Sequence, residues 1–298
     1  MKNQRRAMFY GLAAVLLWST VASAFKLSLR YLEPAHLLLY SGAFSTLLLG
    51  GILVVQGKLG RIFHCSRREY GMSLLLGLLN PFLYYLVLFK AYDLLPAQQA
   101  QPLNYTWAIT LSLLAIPLLG QKFKGQEFVA LLLSYAGVVV ISTEGDILGL
   151  NFTEPLGVVL ALVSTVIWSL YWIFNTRDQR DPVVALLVNF LFSFPFVLGY
   201  SLLFTDLRMP PLPGLLGAAY VGTFEMGFCF VLWLLAMRYA ESTARISNLI
   251  FISPFLSLVL IHFLVGERIL PATLVGLVLI VAGLLVQQVG IKAKAAKG

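Results

Sequence analysis

The sequence predicts an all-α membrane protein of ten transmembrane helices, arranged as two inverted repeats of five helices each. Composition is the first observation behind this prediction: 59% of the 298 residues are hydrophobic and 11% are charged, whereas a soluble domain has about 25% charged residues. The second is a series of long uncharged segments, and the third is a set of matching residues in the two halves. So few charges cannot cover a water-facing surface, and lipid must therefore form part of the solvent.

The uncharged segments are long enough to be membrane-spanning helices. A helix needs about 20 apolar residues to cross a hydrocarbon core of roughly 30 Å. Strands of a membrane barrel would be about 10 residues of alternating polarity, but these segments are continuously apolar. The predicted spans, of which 126–143 is the shortest, are 8–28, 34–56, 70–91, 95–119, 126–143, 155–175, 182–205, 213–237, 241–264 and 270–290.

The first span has some features of a secretory signal peptide. Basic residues precede an apolar run that ends in Ala22-Ser23-Ala24, and such a triplet is typical of a cleavage site. We expect the segment to be retained as a helix, because the second half contains its counterpart and cleavage would leave the first repeat one helix short.

The distribution of Lys and Arg predicts the orientation in the membrane. Sixteen of the 21 basic residues lie on one side of the predicted spans, four lie on the other side, and Lys26 lies within a span. Cytoplasmic loops carry such an excess, so both termini are predicted to be cytoplasmic and the protein to be a multi-pass inner-membrane protein. The net charge of +8 is thereby explained by topology and contact with lipid headgroups, and we expect no nucleic-acid partner.

The two halves, residues 1–145 and 146–298, match at a shift of about 145–150 residues. The matched pairs are Leu17-Trp18-Ser19 with Ile167-Trp168-Ser169, Pro34 with Pro182, Ala91 with Ala236, Gly120 with Gly266, and Ala136-Gly137 with Ala282-Gly283. Because each half has an odd number of spans, the second half must enter the membrane in the opposite direction. Inverted repeats place a solute site near the membrane midplane and allow one half to rock against the other. The symmetry therefore predicts a transporter.

The chain also resembles the drug/metabolite transporter superfamily, in particular the ten-helix EamA-type exporters. The residues that carry the resemblance are Trp18-Ser19 followed by Lys26, Ala236-Met237-Arg238, Ala244-Arg245-Ile246-Ser247, Ser253-Pro254, Gly266-Glu267-Arg268, and Gly276 with Gly283. Members of this superfamily move amino acids, metabolites or toxic compounds. The resemblance therefore implies a secondary transporter for a small organic solute that works by alternating access, and it leaves the solute open.

Glu225 is the main candidate for solute binding, because it lies near the middle of the eighth span. A charged residue at the centre of a membrane helix costs about 2.5–3.5 kcal/mol on insertion scales, and such residues usually face a cavity. Glu225 is predicted to accept a proton or to bind a substrate amine. The alternative is a protonated side chain that is hydrogen-bonded to a neighbouring helix.

Asn80 is the counterpart of Glu225 in the first half, since the two are 145 residues apart. Pro81 follows Asn80 and is expected to free a backbone carbonyl and kink the third span. Tyr84 lies one helical turn further on and is predicted to share the face of Asn80. The alternative for Asn80 is a hinge with a satisfied amide.

Several other residues are candidates for the lining of the solute site. Lys26 lies at the end of the first span, on one helix face with Ser19 and Ser23. The alternative to a place in the site is that its aliphatic stem carries the ammonium out to the lipid headgroups. Aromatic rings can hold apolar or cationic groups, although they also pack ordinary helices. The further candidates are Trp18, Phe228, Asn248 and the helical stripe of Trp168, Tyr171 and Asn175.

Small residues mark the closing helix of each half. Gly276 and Gly283 are seven residues apart, as are Ala130 and Gly137. This spacing places them on one helix face and predicts close helix packing, either within the chain or across a homodimer.

Motifs for enzymatic catalysis, nucleotide binding and metal binding are absent from the sequence, so we expect no cofactor and no metal. Protons are the expected coupling partner. A facilitator without ion coupling is the alternative mechanism, and a membrane-embedded enzyme or a sensor is the alternative class of function.

Overall fold

The computed structural model describes residues 3–120, 125–149, 154–175, 177–206, 209–240, 246 and 248–295. Within these ranges every regular element is helical, in agreement with the predicted all-α class. The α-helices are α1 (Gln4–Ser28), α2 (Pro34–Val55), α3 (Arg67–Gly77), α4 (Tyr84–Leu94), α5 (Ala97–Tyr105), α6 (Trp107–Leu119), α7 (Gly125–Ser142), α8 (Pro155–Asn175), α9 (Pro182–Phe204), α10 (Leu212–Tyr220), α11 (Phe230–Tyr239), α12 (Ser253–Leu260) and α13 (Pro271–Ala295).

Short helices of other types connect or interrupt these elements. The 3₁₀-helices are Leu59–His64 and Asn248–Ile252. The π-helices are Leu78–Leu83 between α3 and α4, Val221–Cys229 between α10 and α11, and Ile261–Val265 after α12. The wider turn of a π-helix changes which side chains share a face, and Leu78–Leu83 also contains a kink at Asn80.

Seven helical segments are long and apolar enough to cross a membrane, namely Gln4–Ser28, Pro34–Val55, Arg67–Leu94, Ala97–Leu119, Pro155–Asn175, Pro182–Phe204 and Leu212–Trp233. Three shorter apolar helices are Phe128–Ser142, Leu249–Val265 and Pro271–Val286. Each described segment coincides with a predicted span, although residues 241–245 and 247 of the ninth span lie outside the described ranges. The count of ten spans and their inverted threading stay predictions.

Helix starts and ends follow local chemistry. Proline occupies the first residue of α2, α8, α9 and α13, where its missing N–H costs nothing and its fixed φ suits a helix. The side chain of Asp181 accepts a hydrogen bond from the backbone N–H of Val183 and so caps the start of α9. At the other end of a helix, Gly120 terminates α6 with a left-handed φ of 66°, which glycine adopts without strain.

The first helix of each half packs against helices of the other half. Helix α1 contacts α11 and α12, and helix α8 contacts α4 and α6. Two polar contacts mark these packings: the hydroxyl of Ser19 lies 3.3 Å from that of Ser253, and the hydroxyl of Ser169 donates to the carbonyl of Trp107 over 3.1 Å. The two halves therefore form one interlocked bundle with a cavity between α1, α4, α5 and α8.

The closing helices α7 and α13 form the most extensive helix pair of the bundle. A Cβ atom built on Gly137 would lie 2.5 Å from the carbonyl oxygen of Gly276, and one built on Gly276 would lie 2.7 Å from that of Gly137. Both separations are shorter than any real contact, so glycine is required at both positions. The predicted close packing of these small residues is confirmed, and it occurs within the chain.

Candidate functional site

A cavity of about 120 Å³ lies in the middle of the bundle. One water needs about 10–15 Å³ by the same measure, so the cavity has room for several waters or part of an organic solute. Most of its lining residues are aromatic, and the side chains with a carboxylate or an amide are Glu225, Gln101 and Asn104. Among the described residues, those that line it include no Lys or Arg. We call this space the central cavity.

Glu225 lies in the π-helix Val221–Cys229 and is 9% exposed. Its Oε1 accepts a hydrogen bond of 3.2 Å from the hydroxyl of Tyr85. Its Oε2 has no hydrogen-bond partner among the described residues, although Trp18 of the same cavity lies close enough to interact with the carboxylate. The sequence prediction that Glu225 faces a cavity agrees with this geometry, and one carboxylate oxygen remains available to a ligand.

Both halves interrupt the corresponding helix with a π-helix. Asn80 lies in Leu78–Leu83, and Glu225 lies in Val221–Cys229. The backbone of Asn80 is not helical, with φ −146° and ψ 120°, and Pro81 removes an N–H donor. Single π-turns within α-helices occur frequently at functional sites. An irregular helix segment therefore lies at the matched sequence position of each half.

Asn80 does not line the central cavity. It is 1% exposed, and neither polar atom of its amide has a hydrogen-bond partner within the described structure. The hydroxyl of Tyr171 lies close to this amide. The predicted common face of Asn80 and Tyr84 is not formed, because the extended backbone of Asn80 breaks the helical spacing on which that expectation depended.

The rings of Tyr84 and Trp168 stack on one wall of the central cavity. Their centroids lie 4.6 Å apart with an angle of 29° between the ring planes. Trp18 and Trp233, which also line the cavity, contact each other with centroids 5.1 Å apart. Tyr84, Trp168 and Trp18 were predicted site residues, and the structure brings all of them together with Glu225.

A second cavity, of about 90 Å³, is lined in part by residues 178–182, between α8 and α9. We call it the loop cavity. Two predicted residues, Tyr171 and Asn175, line this cavity and not the central one, together with Asp178, Arg180 and Asn189. Trp172 lines both cavities. The predicted stripe of α8 is therefore divided between two neighbouring spaces.

Ion pairs and hydrogen bonds between the halves close the bundle beside the loop cavity. Lys58 pairs with Asp181 at 2.6 Å, and Arg180 donates to the hydroxyl of Ser73 over 2.7 Å. We call these contacts the loop clasp. Ser73 lies near the start of the helical segment 67–94, so the loop clasp is at that end of the molecule.

A second set of contacts closes the opposite end, next to the last turn of α4. The carboxylate of Glu267 accepts hydrogen bonds from the backbone N–H groups of Ala97 and Gln98, over 2.8 and 3.0 Å. An acidic group at a helix N-terminus is stabilised by the unpaired N–H groups and the helix dipole. Gln98 in turn donates to the carbonyl of Arg268 over 2.9 Å. We call these contacts the α5 clasp; the sequence motif Gly266-Glu267-Arg268 marked the position without indicating this role.

Lys26 lies at the same end and does not line the central cavity. Its ammonium donates hydrogen bonds of 2.8 Å to the carbonyls of Tyr92 and Leu95. These carbonyls belong to the C-terminal end of α4, where a cation satisfies acceptors that have no helical partner. The structure therefore uses Lys26 to hold α1 against α4, in place of either function expected from the sequence.

Of the remaining predicted residues, Phe228 does not line the central cavity. Phe228 is half-buried and stacks near Phe224, with centroids 6.0 Å apart. Phe230, two residues later, contacts Trp168 at 5.9 Å and lines the loop cavity. Asn248 begins a 3₁₀-helix, and its side chain lies outside the described part of the chain.

The ion pair of the loop clasp is expected to make a small, pH-dependent contribution to stability. Burial acts to raise the pKa of Asp181, but the hydrogen bonds from Lys58 and from the Val183 backbone outweigh it and hold the pKa below its usual 3.8. Replacement by Asn keeps a cap for α9 and removes the ion pair, at a cost of up to about 1 kcal/mol. Replacement by Ala also removes the cap, for a further cost of about 1 kcal/mol.

Thermal unfolding in nanodiscs at several pH values tests this expectation. A carboxyl whose pKa is lower in the folded state stabilises the fold above its unfolded pKa and loses this effect as the pH falls through the folded value. The difference in Tm between wild type and Asp181→Asn should therefore be constant from pH 8 to pH 5 and shrink below 3.8, the usual pKa of this carboxyl. A difference that grows on acidification would contradict the ion pair.

Comparison with known proteins identifies a family that this chain matches. The sequence profile of the EamA-like transporter family matches residues 5–143 and 155–287. The uncharacterized transporter YvbV of Bacillus subtilis is 26% identical over 288 residues, which cover 95% of this chain and 91% of that protein. The aromatic amino acid exporter YddG of Ancylobacter novellus is 25% identical over 261 residues, which cover 87% of this chain and 88% of that protein. A solved crystal structure of 23% identity has a TM-score of 0.67 and covers 96% of this chain and 98% of its own, which shows a common fold.

Proposed function

The chain belongs to the EamA-like transporter family, and from this premise we propose that it is a secondary transporter that exports amino acids or related amphiphilic metabolites. Glu225 in the central cavity is the observation that carries the proposal. An ionised carboxylate is costly in a buried site unless a cation compensates it, and the described residues that line this cavity include no Lys or Arg. A solute ammonium or a proton can supply that compensation.

The rings around Glu225 favour a particular class of solute. Trp168, stacked on Tyr84, offers a flat apolar wall to the rest of the molecule, and aromatic faces also attract cations. An amino acid with an aromatic or large apolar side chain fits both features. The name of one relative, an aromatic amino acid exporter, points to the same class.

The proposed mechanism is alternating access between two halves, residues 1–145 and 146–298. The family profile matches once in each half, as expected if both are five-helix repeats. We propose that they are threaded in opposite directions through an inner membrane, with both termini in the cytoplasm. The loop clasp and the α5 clasp would open in turn, since each joins residues of one half to residues of the other.

Proton coupling through Glu225 is the proposed energy source, because the same carboxylate oxygen cannot hold a proton and an ammonium at once. Binding of a proton from outside would then release the solute. A facilitator without coupling is the alternative mechanism, and an enzyme or sensor is the alternative class.

Counterflow in proteoliposomes tests the function. Vesicles loaded with unlabelled L-phenylalanine should take up radiolabelled L-phenylalanine transiently above its equilibrium level, and a panel of other amino acids should define the preference by competition. An enzyme would change the label chemically, a sensor would exchange nothing, and either result would refute transport. A pH gradient that drives net flux separates antiport from facilitated diffusion.

Trp168 is expected to determine how well aromatic solutes bind. Trp168→Ala removes the stacking partner and should weaken competition by L-phenylalanine about tenfold, the equivalent of about 1.4 kcal/mol. Trp168→Phe keeps an aromatic wall and should lose much less. The measurement is the concentration of L-phenylalanine that halves counterflow, with L-alanine as the control solute; an equal loss for both solutes would refute the stacking role.

A further inference from the structure

We propose that the loop cavity is a second solute-binding site, which binds the carboxylate of an α-amino acid through Arg180 before the solute reaches Glu225. The proposal rests on the proposed function for the identity of the solute. It assigns the carboxylate and the ammonium of the solute to two different places on one path.

Arg180 is a buried cation with one unsatisfied end. Its side chain is 7% exposed, and that of Asp178 is 6% exposed. Nε and Nη2 donate to the carboxylate of Asp178, and Nη2 also donates to the hydroxyl of Ser73. Nη1 contacts the sulfur of Cys65 at 3.8 Å, which is a weak acceptor. The guanidinium therefore keeps N–H donors for an oxygen ligand.

Two other polar groups of the loop cavity lack partners within the described part of the chain. Asn189 is 1% exposed, and its Oδ1 accepts no hydrogen bond. The indole N–H of Trp172 is buried and donates to nothing. Buried polar groups are nearly always hydrogen-bonded, and unpaired groups of both kinds around one cavity are available to a polar ligand.

These groups match the head of an α-amino acid. Its carboxylate has oxygens for the Arg180 and Trp172 donors, and its ammonium has a proton for the Asn189 oxygen. The ring of Phe230, on the wall of the cavity, suits an apolar side chain. Arginine binds carboxylates well because it presents pairs of N–H donors in a fixed plane.

The two cavities present different groups to a solute. The central cavity contains the carboxylate of Glu225, whereas the loop cavity contains the ion pair of Arg180 and Asp178, whose guanidinium keeps N–H donors on Nη1. Trp172 lines both, so a shift of its ring would let a solute pass between them. A solute held first by its carboxylate would then reach Glu225 with its ammonium group.

Alkylation of Cys65 tests the second site directly, because a ligand on Nη1 of Arg180 would lie beside this sulfur. Cys65 is a free, partly exposed cysteine, and the buried Cys229 serves as an internal control. The purified protein in nanodiscs is treated with N-ethylmaleimide, and the labelled peptides are quantified by mass spectrometry. The probes are L-phenylalanine, 3-phenylpropionate, which lacks the amine, and phenethylamine, which lacks the carboxylate.

We expect L-phenylalanine and 3-phenylpropionate, the two probes that have a carboxylate, to slow the alkylation of Cys65 about tenfold at a concentration of ten times Kd. Phenethylamine should leave the rate of alkylation unchanged. Arg180→Lys keeps the charge beside Asp178 but loses the planar pair of donors, so it should abolish the protection. Arg177→Lys is the matched control, since Arg177 is exposed in the same loop, and should keep full protection. Equal protection by phenethylamine, no protection by either carboxylate, or protection that survives Arg180→Lys would overturn the proposal.

Glu225→Gln separates this inference from the proposed function. If the loop cavity is a distinct site, 3-phenylpropionate should protect Cys65 in this variant as well as in wild type. Protection that disappears with Glu225 would mean that the central cavity is the binding site for both groups, and would refute the second site. Protection without any counterflow would keep the second site and refute the transport function.

Discussion

Glu225→Gln is expected to reduce counterflow of ammonium-bearing solutes at least about 100-fold, the equivalent of about 2.7 kcal/mol. The variant removes the charge that would attract the ammonium. It keeps the size of the side chain and an acceptor for the hydroxyl of Tyr85, which lies 3.2 Å from Oε1. Folding should therefore be unaffected, and the expression level and Tm should match those of wild type.

Asp93→Asn is the matched control for this experiment. Asp93 forms an exposed ion pair with Lys90 at 2.6 Å, and such pairs contribute little. Counterflow by the Asp93→Asn variant should equal that of wild type. Counterflow at the wild-type rate in Glu225→Gln would refute the ammonium site. If, in addition, a pH gradient no longer drove net flux, the role of Glu225 would be limited to proton coupling.

Gly276→Leu is expected to destabilise the protein by more than about 3 kcal/mol, as severe overpacking does. A side chain at this position would enter the backbone of Gly137 and the side chain of Ile141. Helices α7 and α13 would have to separate, and membrane helices depend on such close contacts for association. The measurement is the yield of folded protein by size-exclusion chromatography and the Tm of what remains.

Gly51→Leu is the control for this substitution. Gly51 also lies within a membrane helix, but a Cβ atom there meets nothing within 4 Å. The variant should fold with a Tm close to that of wild type. Equal yields for both variants would show that the contact between α7 and α13 is not needed.

Much of the fold could be predicted from the sequence, because hydrophobic length depends on local composition alone. The predicted span 155–175 coincides with α8 (Pro155–Asn175), and the start of the predicted span 34–56 coincides with that of α2 (Pro34–Val55). The shift of 145 residues pairs Asn80 with Glu225, and both residues lie in π-helices. The sequence predicts only the interruption of the third span at Pro81; the irregular segment around Glu225 was not predicted.

The side-chain neighbours within those segments could not be predicted in the same way. Phe228 is three residues after Glu225, and in an α-helix the two would share a face. The π-helix Val221–Cys229 has a wider turn than an α-helix, so this spacing does not hold there, and Phe228 does not line the central cavity. The second half has no proline at this position to indicate the change, and glycines at 222 and 227 are only a weak signal.

Contacts between distant parts of the chain were equally inaccessible to sequence reasoning. From the sequence, Lys26 is expected to line the cavity or to reach the lipid headgroups. In the structure the end of α4 offers carbonyls within 2.8 Å of its ammonium. Glu267 caps α5 in a similar way. Both roles depend on which helix ends meet in three dimensions.

Cryo-electron microscopy of the protein with the solute that gives the strongest counterflow is the most direct test of the central cavity as the transport site. We expect density for the solute between Trp168 and Trp18, with its ammonium within hydrogen-bond distance of Glu225. Solute density found only outside the central cavity, or a central cavity that stays empty at saturating solute, would contradict that site.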